Sequence, residues 1–388
     1  MAEEVSGIQS SVLQWARESQ GFSIDEVAKR MRRDPAQIVA WESGESAPTY
    51  SQLETLAYKI YKRPLAVFFF PQPPQEPDPE TEFRTLPDFD LEDLSADTRY
   101  QIRFAHSLQL SLKELNSDTN PASRQIFRDL SLTMNRDIRS QAGEIRQYLG
   151  IGLETQTGWR SSDIALKAWR NAVNEAGIFV FKHAFKEKQI SGFCLLDEEF
   201  PIIYLNNSTS KTRQVFSLFH ELAHVLFHVN GISKFDTSYI SHLPIHERRI
   251  EQFSNAFAAE LLMPSEDFDR QFRQYHRFDE LAVERLASRY CVSREVVYRR
   301  LRDKGIISQE QYERKAAEWA AQAEQRTETG GNYYATQASY LGGQYLKLVL
   351  GKYYRGSLTL EQAAEYLGVK PKNLTGLEGF ALQGAVPE

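Results

Sequence analysis

Phe216-Ser217-Leu218-Phe219-His220-Glu221-Leu222-Ala223-His224-Val225-Leu226-Phe227 is the stretch on which the reading of this chain turns. Residues four apart share one face of a helix, so His220 and His224 can grip a single metal ion while Glu221 points at its open position. Three protein ligands and an exchangeable water make a catalytic zinc site, whereas a fourth protein ligand makes a structural one. Apolar residues surround the motif, so the helix is expected to be buried on most faces. Two histidines and a carboxylate buried there without partners cost several kcal/mol, and a bound cation offsets that penalty.

The pattern asks for a third ligand. A second helix, expected over 247–262 and stopped near Pro264, offers His246, Glu247, Glu251 and Glu260. Glu247 and Glu251 lie one turn apart on the same face, so periodicity does not choose between them. His228, Tyr239, His242 and His246 are close enough in sequence to be weighed as oxyanion stabilisers, but each reads more simply as a surface or supporting residue. Asn255 reads as a fastening between its helix and neighbouring backbone.

The chain has 388 residues, enough for two or three domains, with 41% hydrophobic and 25% charged residues, an ordinary globular balance. No run of 18 apolar residues occurs, and Met-Ala-Glu-Glu-Val at the start lacks the basic and apolar parts of a signal peptide. The two cysteines, Cys194 and Cys291, exclude a disulfide framework and a Cys-rich zinc finger. A reducing cytoplasm is the expected location and no membrane partner is expected. Formal net charge is −6, so nucleic-acid binding must come from a local patch.

Around this centre the chain divides. Over 8–70 the apolar spacing gives short helices: Ser23 caps Ile24–Met31 with Glu26 completing a capping box, a second helix spans about 36–42, and Gly44 and Pro48 break the chain. Phe68 to Pro74, then Pro77 and Pro79, read as a stiff connector, followed by an acidic stretch from Asp88 to Asp97. Helical spacing runs from Thr98 to about Leu149. Residues 177–181, 190–196 and 201–205 read as strands. Beyond Pro264, residues 281–290 and 295–301 have a helix-turn-helix cadence. Residues 345–354 and 360–367 make two helices of a C-terminal unit, with a third opened by Pro371. Seven tyrosines between Tyr333 and Tyr366 favour an interface.

Two resemblances follow from these residues. Val27-Ala28, Ile38, Trp41-Glu42-Ser43-Gly44 and Pro48, in that order over short helices, resemble the XRE-type helix-turn-helix domain. Residues 212–224, ending in the HExxH motif, followed by 251–264 with Asn255-Ala256-Phe257-Ala258-Ala259, resemble the ImmA/IrrE metallopeptidase family. In that family a glutamate four residues before the Asn completes a gluzincin-like metal site, which implies His220, His224 and Glu251 as ligands of zinc, with manganese the alternative ion, and Glu221 as catalytic base. The expected fold is mostly α with a small β-sheet (α+β). It comprises a helix-turn-helix bundle over 1–70, a Pro-rich acidic linker over 71–97, a zincin-like peptidase domain over 98–321 (core 177–264, helical 265–321) and a helical interaction module over 333–388.

The resemblance further implies a regulatory zinc endopeptidase that cleaves a repressor or antitoxin protein. The alternative is a non-proteolytic DNA-binding repressor or antitoxin that uses the peptidase-like domain as a sensor or docking scaffold. Operator DNA, a toxin and a second copy of the chain are the other partners considered. For DNA, Gln37 is the base-edge reader and Arg32 and Arg33 are the phosphate contacts. The expected recognition helix carries no basic residue, however, and a protein-contact role for this domain fits as well. The basic segment from Arg289 to Arg302 reads as a helix packed on the peptidase core with a solvated arginine face.

Overall fold

The computed structural model describes residues 3–77, 82–83, 94–187, 189–234, 238–275, 279–324 and 332–383, in two compact units, Met1–Phe104 and Ala105–Glu388. Part of the expected linker (78–81 and 84–93, including Pro79 and the acids from Asp88) and residues 325–331 of the expected polar separator lie outside the described residues.

In the first unit the capping box at Ser23 forms as expected. Ser23 Oγ accepts from Glu26 N, and Glu26 Oε2 accepts from Ser23 N. The next helix, Pro35–Ser43, begins at Asp34, whose carboxylate accepts from Ala36 N, and ends at Gly44 with φ 77°, a left-handed cap that glycine adopts without Cβ strain. Ile38 and Trp41 point from it into a core with Val12, Leu13, Val27, Leu53 and Leu56. A bidentate pair, Arg17 Nε to Glu42 Oε1 at 2.8 Å and Arg17 Nη2 to Glu42 Oε2 at 2.9 Å, ties the helix Ser10–Glu18 to this one. The aromatic run differs from expectation at its start. Phe68 sits in a 3-10 turn, Leu65–Phe69, and is fully buried beside Tyr61, so it belongs to the core and not to the connector.

The second unit is built on a four-stranded mixed sheet, β1 (Phe179–His183), β2 (Ile190–Leu195), β3 (Ile202–Asn206) and β4 (Gly231–Lys234), in the order β1-β3-β2-β4. Only β1–β3 is parallel; β2 pairs antiparallel with both β3 and β4. Every residue of β2 and β3 is buried, so these strands read as continuous apolar runs rather than alternations. The helix Lys211–Leu226, which carries the HExxH motif, packs on β2 and β3, and against it lie helices Ser162–Glu175 and Ile245–Leu262. Trp169 anchors this layer: it is fully buried and meets Phe219 edge to face at 4.8 Å between ring centroids. Trp169→Ala is expected to cost about 3–5 kcal/mol through cavity formation, read as a lower urea midpoint at unchanged slope.

The helical spacing expected from Thr98 to about Leu149 is divided among three helices, Ala96–Asn116, Ile126–Asp129 and Ile138–Tyr148. The arginines of 289–302 are also not a solvated face. Arg289 pairs with Asp267, and Arg300 reaches Glu260 Oε2, Ser265 Oγ and the carbonyls of Ala259 and Met263, all within 3.0 Å. Glu260 is 5% exposed, so Arg300→Met strands a buried carboxylate and should cost about 3–5 kcal/mol in the same unfolding assay. The C-terminal helices Tyr333–Leu341, Gly343–Tyr354, Leu360–Tyr366 and Leu374–Gln383 use part of the tyrosine content internally. Tyr345 is 1% exposed and stands edge to face on Phe181 of β1, while Tyr333 and Tyr354 remain exposed.

Candidate metal centre

Ser210 caps the motif helix through its hydroxyl, which accepts from Arg213 N. Three turns on, the helix is covered on all sides, leaving His220 4% exposed and Glu221 and His224 fully buried. The helix Ile245–Leu262 crosses beside it and contributes Glu251, also fully buried. The side chains of these three ligand-type residues converge. His220 Nε2 and His224 Nε2 are 3.0 Å apart, His220 Nε2 lies 3.2 Å from Glu251 Oε2, and His224 Nε2 lies 3.1 Å from Glu251 Oε1. Ligands held at about 2.0–2.1 Å in a tetrahedral site stand about 3.3 Å from one another, so the triangle has the size of one tetrahedral face. Among the described residues this is the one group of three or more His, Cys, Asp or Glu side chains close enough to share an ion.

The hydrogen-bond account points the same way. Both Glu221 oxygens, His224 Nδ1 and Glu251 Oε1 are buried without a hydrogen bond. Buried polar atoms are nearly always satisfied, so four orphans in one place call for an explanation. A divalent cation fits the donor set, since two imidazole nitrogens and a carboxylate are its usual ligands. Charges are already arranged for it. Burial would raise the Glu251 carboxyl, but His224 and His220 hold it down at about 2. Burial works against a charged His220, yet the Glu251 carboxylate raises its pKa. Glu221 is raised because burial outweighs the two histidines beside it.

Supporting residues come from the turn Ser238–His242, from β4 and β2, and from the helix that carries Glu251. Tyr239 is buried and donates its hydroxyl to Glu251 Oε2 at 2.9 Å. Asn255 lines the same cleft as His220, and its side chain helps to raise the pKa of that ring. Gly231 opens β4 against the His224 ring, where an added Cβ would stand 2.6 Å from the ring carbon Cγ. Cys194 on β2 accepts from Gly231 N at 3.3 Å, and burial followed by the charge of Glu221 pushes its thiol well up. Cys194 is not among the side chains close enough to share an ion.

The other candidates lie elsewhere. Glu247 is half-exposed near the start of its helix, and Glu260 is engaged by Arg300 and Ser265 at the far end. His242 and His246 are exposed, and His228 follows the end of the motif helix with φ 57°. His220 lines a cleft with Ser217, Tyr239 and Asn255, together with Glu295 and Arg299 of the helix Arg294–Asp303. An ion pair, Arg213 Nη2 to Glu295 Oε2 at 3.2 Å, joins the motif helix to that helix. In the other unit Arg32 and Arg33 are exposed at the turn before the helix Pro35–Ser43, Arg32 with φ 53°, and Gln37 is half-buried on that helix.

In comparisons with known proteins, residues 173–302 match the Peptidase_M78 family model, described as the IrrE N-terminal-like domain. Residues 13–57 match the helix-turn-helix model HTH_3. No curated protein matches the chain. The chain thus carries a helix-turn-helix domain followed by a domain of a metallopeptidase family, and His220, Glu221, His224 and Glu251 all fall within the second match.

Proposed function

We propose that this chain is a regulatory zinc-dependent endopeptidase fused to a helix-turn-helix domain, acting on a protein substrate of the repressor or antitoxin class in a reducing cytoplasm. The observation that carries the reading is the triangle of His220, His224 and Glu251 with the unpaired Glu221 carboxylate beside it. In this reading the domains are those read from the sequence, 1–70, 98–321 with its core over 177–264, and 333–388.

His220, His224 and Glu251 would hold the ion, zinc or alternatively manganese. When bound, the ion supplies Lewis acidity, lowering the pKa of water and polarising a scissile carbonyl. Glu221 takes a proton from the attacking water and passes it to the leaving amine nitrogen; its burial, which raises its proton affinity, suits a group that must hold a proton between two steps. Tyr239 and Asn255 keep the ligands oriented. Tyr239→Phe is expected to weaken zinc binding by about 10–100-fold, measured by competition with a chromogenic chelator; unchanged affinity would remove Tyr239 from the site. The experiment that tests the function incubates the purified chain, with zinc or manganese, with repressor and antitoxin proteins encoded beside it. Cleavage of one of them by the wild type, abolished in Glu221→Gln, is the expected result, and cleavage of none sinks the enzyme reading.

The match over 13–57 supports a second reading, a DNA-binding regulator in which Arg32 and Arg33 contact phosphates and Gln37 reads a base edge. The helix Pro35–Ser43 offers no Lys or Arg, so affinity would rest on the preceding turn. Fluorescence anisotropy with promoter DNA of its own operon should show salt-dependent binding that Arg33→Ala weakens across all sequences, while Gln37→Ala chiefly relaxes specificity. Binding insensitive to both substitutions would instead assign residues 1–70 to protein contact.

A further inference from the structure

The geometry points to a second site: a cavity between β1, the helix Ser162–Glu175, the start of the motif helix and the C-terminal helices binds a phosphorylated small molecule of nucleotide size.

The floor of the cavity is Lys182 on β1, 5% exposed. Among the described residues its ammonium has no hydrogen bond and no ion pair. A lysine is rarely buried without a partner. Two more cations stand beside it, the buried Arg170 and half-buried Lys211, and exposed Lys167 and Lys347 lie at the mouth. Asp163 and Glu175 are the acids of the wall, and neither pairs with these lysines within ion-pair distance. Arg170 is occupied, donating to the carbonyls of Val180, Ser339 and Tyr340, so its contacts hold the C-terminal helices against β1. The lysines are what a ligand would meet.

A second feature is independent of charge on side chains. The twelve-residue helix Gly343–Tyr354 begins at this wall, its N-cap Gly342 has φ 84°, and no side chain caps it. Its first amides are therefore donors without a helical acceptor, at the positive end of the helix dipole. A Cβ at Gly343 would meet nothing within 4 Å, so an anion can approach the backbone there. Gln344 adds a buried side-chain oxygen without a hydrogen bond, an acceptor for an N–H or O–H of the ligand outside its phosphoryl group. The cavity measures about 590 Å³, in the range of small-molecule sites and far beyond a single phosphate. Leu166 and Phe380 give it apolar surface for a base.

Burial, with Arg170 and Lys211 nearby, lowers Lys182 to about 6. An arriving anion opposes that shift and favours the protonated amine. Binding should be accompanied by proton uptake.

Titration calorimetry on the full chain tests the site with ADP, inorganic phosphate and adenosine, in buffers of different ionisation heat. ADP is expected to bind with proton uptake and adenosine not to bind. Phosphate that competes with ADP identifies the phosphoryl group as the recognised part. Lys182→Met should weaken ADP by about tenfold or more, the loss of one charge-assisted contact, whereas Lys370→Met on the exposed surface should leave it unchanged. Lys211→Gln gives the same reading at a half-buried position should Lys182→Met not fold. Absence of ADP and phosphate binding overturns the proposal, as does binding indifferent to both Lys182→Met and Lys211→Gln, or a preference for duplex oligonucleotide over ADP. The outcome does not depend on the peptidase reading, because Glu221→Gln protein serves equally well.

Discussion

Glu221→Gln is expected to retain zinc at the wild-type level and to lose about two to four orders of magnitude in cleavage rate, the range a positioned general acid–base contributes. The amide has nearly the shape of the carboxylate, so the packing of the motif helix on β2 and β3 is kept. Glu221 lies outside the triangle of His220, His224 and Glu251, so the ligand set is also kept. What disappears is an oxygen able to take a proton. In the wild type that carboxylate is fully buried, with neither oxygen in a well-formed hydrogen bond, as expected of a group held ready for chemistry. Quantifying product by gel alongside metal content in the same samples separates the two effects. A variant that cleaves at the wild-type rate would dismiss Glu221 as the base.

Gly231→Ala is expected to do the reverse, removing metal through a residue that is not a ligand. The added methyl would lie 2.6 Å from Cγ and 2.7 Å from Cδ2 of His224. Ordinary carbon contacts begin roughly 0.8 Å further out. The ring cannot swing aside freely, because His224 is fully buried, and β4 is tied to β2 by the pairs Cys194–Gly231 and Phe193–Ile232. The expected result is a tilted imidazole and zinc affinity lowered by about 10–100-fold or more, at least the effect of losing an orienting partner. Chelator competition measures the affinity, and circular dichroism checks that the fold persists. Wild-type affinity in a folded Gly231→Ala protein would show that the close approach of β4 does not position the ligand.

The two helices that meet at the centre were legible from the apolar spacing around 216–227 and 247–262, and three of the four strands from their apolar runs. β4 was not, because Gly-Ile-Ser-Lys is short, half polar and opened by a glycine; it becomes a strand only by pairing with β2. The helices Ser162–Glu175 and Tyr333–Leu341 were likewise not anticipated, although Trp169 and Arg170 on the first organise much of the core and the second cavity. Within the site, helical period brought His220 and His224 together but could not separate Glu247 from Glu251. Depth decides that choice: one turn carries the chain from a half-exposed position to a fully buried one. Tyr239 was weighed only as an oxyanion stabiliser and Asn255 only as a fastening, since their places beside the ligands exist only once the turn Ser238–His242 and the helix Ile245–Leu262 are folded around the histidines. The expected solvated arginine face failed for a related reason. Charge in sequence does not reveal that Arg300 will find Glu260, Ser265 and two carbonyls waiting.

The central claim is that His220, His224 and Glu251 form one divalent-metal centre. It is tested most directly by elemental analysis of the purified wild type beside His224→Ala and Glu251→Ala. About one zinc or manganese per chain in the wild type and little in either variant is the result the account predicts. Equal metal in all three, or none in the wild type after incubation with zinc or manganese, would contradict it.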